Sequence, residues 1–97
     1  MVNLDFSQNY LESVFPDIKL LVSLDVLNFG ENLISEVTFL AGHKSLKELN
    51  FSCNRLKNLS GLENLQSLVS LNASNNYLTS MDTLDLPNLK KLDLSCN

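Results

Sequence analysis

Tryptophan is absent from the 97 residues, and there are only two cysteines, two prolines, three glycines and one histidine. Each shortage closes off a class of chemistry. Two cysteines are too few for a disulfide scaffold. Cys53 and Cys96 lie 43 positions apart with no CxxC spacing, so no zinc or redox motif is present. No Gly-rich loop exists to cradle a phosphate. The single histidine, His43, falls outside the segments that carry the cysteines, which leaves Ser-His-Asp and Cys-His catalysis without a base. Basic residues are also scarce. Seven Lys and Arg stand against eleven Asp and Glu, a net charge of −4 and a pI near 4.7. Surfaces that hold a nucleic-acid backbone are usually basic, so that partner is not expected. No apolar run approaches the roughly 18 residues of a membrane helix. The opening MVNLDFSQNY has neither the basic flank nor the apolar segment of a signal peptide. The expectation is a non-enzyme with no cofactor, no metal and no membrane contact, in a reducing intracellular compartment, the cytoplasm.

What the chain does have is leucine and asparagine in register. The frame L-x-φ-x-x-N-x-L, with φ apolar, appears as LDFSQNYL at 4–11, LNFGENLI at 27–34, LNFSCNRL at 49–56 and LNASNNYL at 71–78. A fifth copy, LDLSCN, starts at Leu92 and stops at Asn97. The frame asparagines Asn9, Asn32, Asn54, Asn76 and Asn97 are therefore spaced by 23, 22, 22 and 21 residues. An apolar residue stands three positions ahead of each frame: Met1, Leu24, Leu46, Leu68 and Leu89. The full unit reads L-x-x-L-x-L-x-x-N-x-L. A period of this length marks a stacked-repeat architecture.

These motifs resemble the leucine-rich repeat superfamily, and in particular its short 22-residue class, typified by a regulatory subunit of protein phosphatase 1. Bacterial internalins use the same repeat length. The resemblance implies an α/β solenoid wound as a right-handed superhelix. Each repeat would add one short parallel strand to the concave face and a 3₁₀ or irregular segment to the convex face. Residues 1–97 then form a single domain of about four and a half repeats, with units starting near 1, 24, 46, 68 and 89. The chain opens in frame and ends half-way through a unit, which reads as a portion of a longer solenoid without caps.

The residue spacing supports the same picture independently. Leu49 and Phe51 alternate with Glu48, Asn50 and Ser52, the period of a strand. After the asparagine, Leu56, Leu59, Leu62, Leu65 and Leu68 recur every third residue, the period of a 3₁₀ or similarly tight segment. No single unit can bury its own apolar face, so neighbours must stack. A side-chain amide offers both donors and an acceptor to the backbone of a buried turn. Asn9, Asn32, Asn54, Asn76 and Asn97 are accordingly expected to form a structural ladder between turns.

Departures from the frame are few. Unit one carries an extra residue near Pro16, and unit four loses one around LDLPNL at 84–89, ahead of the last strand. His43 aligns with Leu65 and is expected in a partly exposed loop, AGHK. Three sequons, at Asn50, Asn58 and Asn72, are read as coincidental in a chain this rich in Asn and Ser. Cys53 and Cys96 fill a variable slot occupied elsewhere by Gln8, Glu31 and Asn75. Two strands separate them by roughly 10 Å, beyond the reach of a disulfide.

Strand alternation sends Leu4, Phe6, Leu27, Phe29, Leu49, Phe51, Leu71, Ala73, Leu92 and Leu94 inward. The opposite face carries a central column of Asp5, Asn28, Asn50, Asn72 and Asp93, polar throughout and acidic at both ends. Side chains of the type that anchor interfaces lie one step past the frame asparagine: Tyr10, Arg55 and Tyr77, with Leu33 between them. The column and this rim are the candidate partner-binding residues. The leading functional expectation is a non-catalytic protein-interaction module or scaffold. The resemblance also allows a structural spacer in a larger cytoskeletal or ciliary protein, or an internalin-like surface adhesin. The open ends allow end-to-end self-association.

Overall fold

The computed structural model describes residues 2–14, 16–79 and 86–97. Five strands, β1 (Val2–Asp5), β2 (Leu24–Asn28), β3 (Glu48–Asn50), β4 (Ser70–Asn72) and β5 (Lys91–Asp93), pair in chain order as one parallel sheet. Parallel neighbours require a crossover between them. Here the crossovers are 3₁₀ segments at Pro16–Leu20 and Thr38–Leu40 and runs of tight turns. Unit three shows why the spacing is three. The amides of Leu62, Leu65 and Leu68 donate to the carbonyls of Leu59, Leu62 and Leu65. Each turn drops the next leucine onto the same inward line.

The register is nearly perfect. Leu27 pairs with Leu49 and Leu49 with Leu71, while Asn28 pairs with Asn50 and Asn50 with Asn72. One irregularity occurs, between Val2 and Asn3, where Val2 faces Leu24 but Asn3 faces Val26. The 23-residue first unit thus rejoins the frame by Asn3. Pro16 opens the longer of the two 3₁₀ segments, at the position where its missing N–H is least missed. Met1, Phe15 and residues 80–85, which include the first two residues of the LDLPNL stretch where unit four shortens, lie outside the described residues.

Apolar residues of the frame fill a single core running between the layers. Leu24, Leu27, Ile34, Leu46, Leu56, Leu62 and Leu68 have no exposed surface. Phe6, Phe29 and Phe51 stack almost parallel, with ring centroids 5.3 and 5.5 Å apart. Phe39, from the convex side, meets Phe29 and Phe51 edge-on. Such aromatic pairs add about 0.5–1.5 kcal/mol each beyond area burial. Ala73 ends the column in unit four, buried but too small to continue the stack. In the outer units Leu4, Phe6 and Leu94 are only partly buried against this core, and Leu92 is 45% exposed, because a neighbouring turn covers them on one side only.

Two positions differ from the sequence expectation or add to it. His43 is not in an exposed loop: it is buried, 1% exposed, in the slot that leucine fills in unit three. Its Nε2 donates to the Leu21 carbonyl, and its Nδ1 accepts from the Ser45 amide. The imidazole thus has both ring nitrogens paired, with the Ser45 amide and with a Leu21 carbonyl that also accepts the Leu24 amide, which is why a polar residue is tolerated. Gly61 has φ of +104°, and a Cβ placed on it would lie 2.5 Å from the Thr38 backbone. Units two and three approach each other there more closely than any side chain allows.

Candidate functional site

Two columns of asparagine run across the sheet, four residues apart in the chain. The frame asparagines turn inward. Asn32, Asn54 and Asn76 are 4–6% exposed. The Asn54 amide Nδ2 donates to Phe29 O of the preceding unit at 2.8 Å and to Phe51 O and Ser52 O of its own unit. Its Oδ1 accepts the Ile34 amide of the preceding unit at 3.0 Å. Asn32 and Asn76 repeat the arrangement through Leu11 and Leu56. Asn97 does the same for Leu78 and Ala73, although it is exposed. Asn9, in the first unit, bonds only within its own turn, to Phe6 O and Ser7 O. Every buried turn is stitched to its neighbour by one amide.

The second column lies on the open, concave face. Asp5, Asn28, Asn50, Asn72 and Asp93 are neighbours through the strand register. Each uses Oδ1 in the same way, accepting the backbone N–H two residues on: Ser7, Gly30, Ser52, Ser74 and Ser95, at 2.8–3.0 Å. This is the side-chain turn that Asn and Asp make readily. It ends each strand and fixes the side chain. It also fixes which way the amide faces, because only the oxygen can accept an N–H. The Nδ2 groups of Asn28, Asn50 and Asn72 consequently point away from the turn. Among the described residues they bond to nothing, and these three side chains are half-buried. Hydroxyls of Ser7 and Ser95 also reach the Asp5 and Asp93 carboxylates, and those hydrogen bonds hold both acids below the usual range.

The face so formed is a shallow groove of about 310 Å³ across the middle strands, with Val26, Asn28, Glu48, Asn50, Ser70 and Asn72 on it. Gly30 is the one gap in an otherwise serine row of Ser7, Ser52, Ser74 and Ser95. A Cβ on it would crowd Asn28 Oδ1 and Ser52 Oγ at 3.1 and 3.2 Å.

Beyond the column the chain bends sharply. Gln8, Glu31, Cys53, Asn75 and Cys96 all adopt φ between 55° and 57°. The left-handed region is costly for residues other than Gly and Asn, and of these five only Asn75 favours it. Residue type alone therefore gave no signal of this bend; what marks it is the fixed place just ahead of the frame asparagine. The bend carries the next residues outward. Tyr10 is 87% exposed, Tyr77 is 60% exposed and Arg55 is exposed, while Leu33 is half-buried. Their backbones are pinned: the amides of Leu33, Arg55 and Tyr77 donate to Leu11 O, Ile34 O and Leu56 O of the preceding units. Column and rim are thus fixed on successive turns, but tyrosines Tyr10 and Tyr77 sit three units apart rather than as one cluster. Cys53 and Cys96 are free thiols and exposed.

A repeating strand, an asparagine ladder and a return segment of period three decide the architecture. The family model for leucine-rich repeats, in two copies, matches residues 44–85, which cover units three and four. Units three and four match leucine-rich repeats, and the other units share their frame and their strand register. Searches of curated proteins and of solved structures return no match. Leucine-rich repeat domains generally mediate protein–protein interaction and are typically non-catalytic. No helix among the described residues is long and apolar enough to cross a membrane.

Proposed function

We propose that this chain is a non-catalytic protein-binding module that takes its partner on the concave face, through Asp5, Asn28, Asn50, Asn72 and Asp93 and the rim of Tyr10, Arg55 and Tyr77. The observation that carries this reading is the row of three half-buried asparagine amides whose donors no group among the described residues uses. Half-buried donors held rigid and unpaired are ready-made partners for acceptors on another molecule, at little ordering cost. The exposed tyrosines and arginine belong to the residue types that most often anchor interfaces. Free, exposed thiols at Cys53 and Cys96 fit an intracellular, reducing setting.

Cross-linking of the purified chain to interactors in a cell extract, followed by mass spectrometry, tests the proposal. Replacing Tyr10, Arg55 and Tyr77 by alanine should remove most cross-linked protein, and Asn50→Asp should do the same. Unchanged capture by both variants moves the site off this face.

A second reading, a spacer or an end-to-end assembly, rests on exposed Val2, Leu20, Leu21 and Val22 beside β1 and Leu92 on β5. In-register stacking of two copies would set Asp93 of one beside Asp5 of the other, so like charges oppose that assembly. Sedimentation at rising concentration separates the two: a monomer supports the binding module, and a ladder of oligomers supports the assembly.

A further inference from the structure

The concave column changes character along its length. At each end a carboxylate uses one oxygen for its turn and keeps the other, at Asp5 and Asp93. Between them Asn28, Asn50 and Asn72 engage their oxygens with the amides of Gly30, Ser52 and Ser74, and each turns an unused NH₂ group, with two donors, away from the turn. The column therefore reads negative, donor, donor, donor, negative. Its complement carries a cation at each end and uncharged acceptors between.

Spacing narrows the choice further. Strands about 4.8 Å apart set Asp5 and Asp93 roughly 19 Å apart and Asn28 and Asn72 about 9.6 Å apart. A polyproline II segment advances about 3.1 Å per residue, so its three-residue turn covers about 9.3 Å and six residues cover about 19 Å. It is also the backbone that leaves its carbonyls free, and proline contributes no N–H. An α-helix spends its carbonyls internally. A β-strand sets N–H groups among its carbonyls, and these would face the asparagine donors. A polyanion meets Asp5, Glu48 and Asp93 on a chain of net charge −4. Val26 gives an apolar step on the same face for a proline ring, and Lys91, two residues before Asp93, makes Asp5 the stronger acidic end.

We propose, resting on the concave-face reading above, that the partner element is a proline-rich segment in the polyproline II conformation lying across the strands. Two basic residues six positions apart meet Asp5 and Asp93, and the carbonyls between them accept from the Asn28, Asn50 and Asn72 amides.

Fluorescence anisotropy with labelled synthetic peptides and the purified chain tests this. One peptide carries two arginines six positions apart with prolines between, a second replaces the prolines by alanine, and a third shortens the arginine spacing to three. The first should bind at least tenfold more tightly than the other two. Asn50→Asp keeps its turn, since aspartate makes the same turn at Asp5 and Asp93, so circular dichroism should show a folded protein. It adds negative charge yet should weaken the arginine–proline peptide at least fivefold, because an acceptor replaces a donor. Asp5→Asn should weaken it about threefold, the size of one exposed ion pair. Stronger binding by Asn50→Asp means simple charge attraction and overturns the proposal, as does equal binding of the alanine peptide. If no peptide binds while Asn50→Asp still abolishes cross-linked capture, the concave-face reading stands and the proline-rich partner falls.

Discussion

Asn50 and Asn54 are the same residue, four positions apart, and the fold uses them in opposite ways. Asn54 is 6% exposed, and its amide is saturated by three carbonyls. Asn50 is half-buried, and among the described residues only its oxygen is engaged. The frame row holds successive turns together; the concave row closes a local turn and leaves a donor over. Side-chain chemistry does not separate the two roles. What separates them is the hydrogen-bond accounting of each site: an inward asparagine meets a curl of several carbonyls, whereas an outward one meets a single N–H and then solvent. The comparison teaches that the abundance of asparagine here has two independent causes, only one of which concerns stability.

Replacing each asparagine by aspartate breaks the comparison most sharply. Asn54→Asp points a carboxylate at carbonyl oxygens in a buried site and should cost about 3–5 kcal/mol in urea unfolding at pH 7. Burial raises the pKa of such a group, so the variant should regain stability as pH falls and the carboxyl protonates. Asn50→Asp should lie within about 0.5 kcal/mol of the parent, because the turn it makes tolerates either residue. A large loss at Asn50 would mean that the concave row is scaffold as well.

Gly61→Ala probes the scaffold away from both rows. Its Cβ would meet the Thr38 backbone, and its φ of +104° is unfavourable for alanine. A loss of about 3 kcal/mol is expected in the same unfolding assay. Peptide binding on the concave face, measured below the unfolding transition, should not change.

The bend between the two rows offers a gain. Cys53 sits at φ 57° with an exposed side chain. Cys53→Gly or Cys53→Asn should stabilise by about 0.5–1 kcal/mol, as the left-handed conformation costs those residues less. Asn75→Gly, where asparagine already suits the bend, should gain less.

Acid separates the rows by pH. Burial lowers the pKa of His43 from 6.5, partly offset by its bond to the Leu21 carbonyl. The unfolded chain therefore takes up that proton first, and stability falls as pH drops through about 6.5, levelling below the folded pKa. His43→Gln should flatten this limb of a pH–stability curve. Asp5 and Asp93 also have lowered values, from 3.8, through their serine hydrogen bonds. Their contribution is complete above 3.8 and is lost only as pH falls through the lower folded value. Both are fully exposed, so Asp5→Asn should change the acid limb below pH 4 only slightly.

Much of the fold was legible because its period is explicit in single residues. Leu46, Leu49, Phe51, Asn54 and Leu56 fix where the strand starts, which way it faces and where it turns, and Leu59, Leu62 and Leu65 fix the return. The site was legible in outline only. Alternation placed Asn28, Asn50 and Asn72 on the open face, but not the i+2 turns that orient their amides. His43 was misplaced because a leucine slot signals burial without revealing that Leu21 O and Ser45 N stand within reach of a side chain there. Nothing in Gln8, Glu31 or Cys53 announces a left-handed bend, since the strain is imposed by the strand pairing on either side and not by the residue.

The most direct test of the division between the rows is hydrogen exchange of the asparagine side-chain amides, read by ¹⁵N-resolved NMR at neutral pH. The Nδ2 protons of Asn32, Asn54 and Asn76 should be strongly protected and exchange only when the solenoid opens. Those of Asn28, Asn50 and Asn72 should exchange at close to the rate of a free amide. Equal protection in the two rows would contradict the account, because it would leave no donors on the concave face to offer a partner.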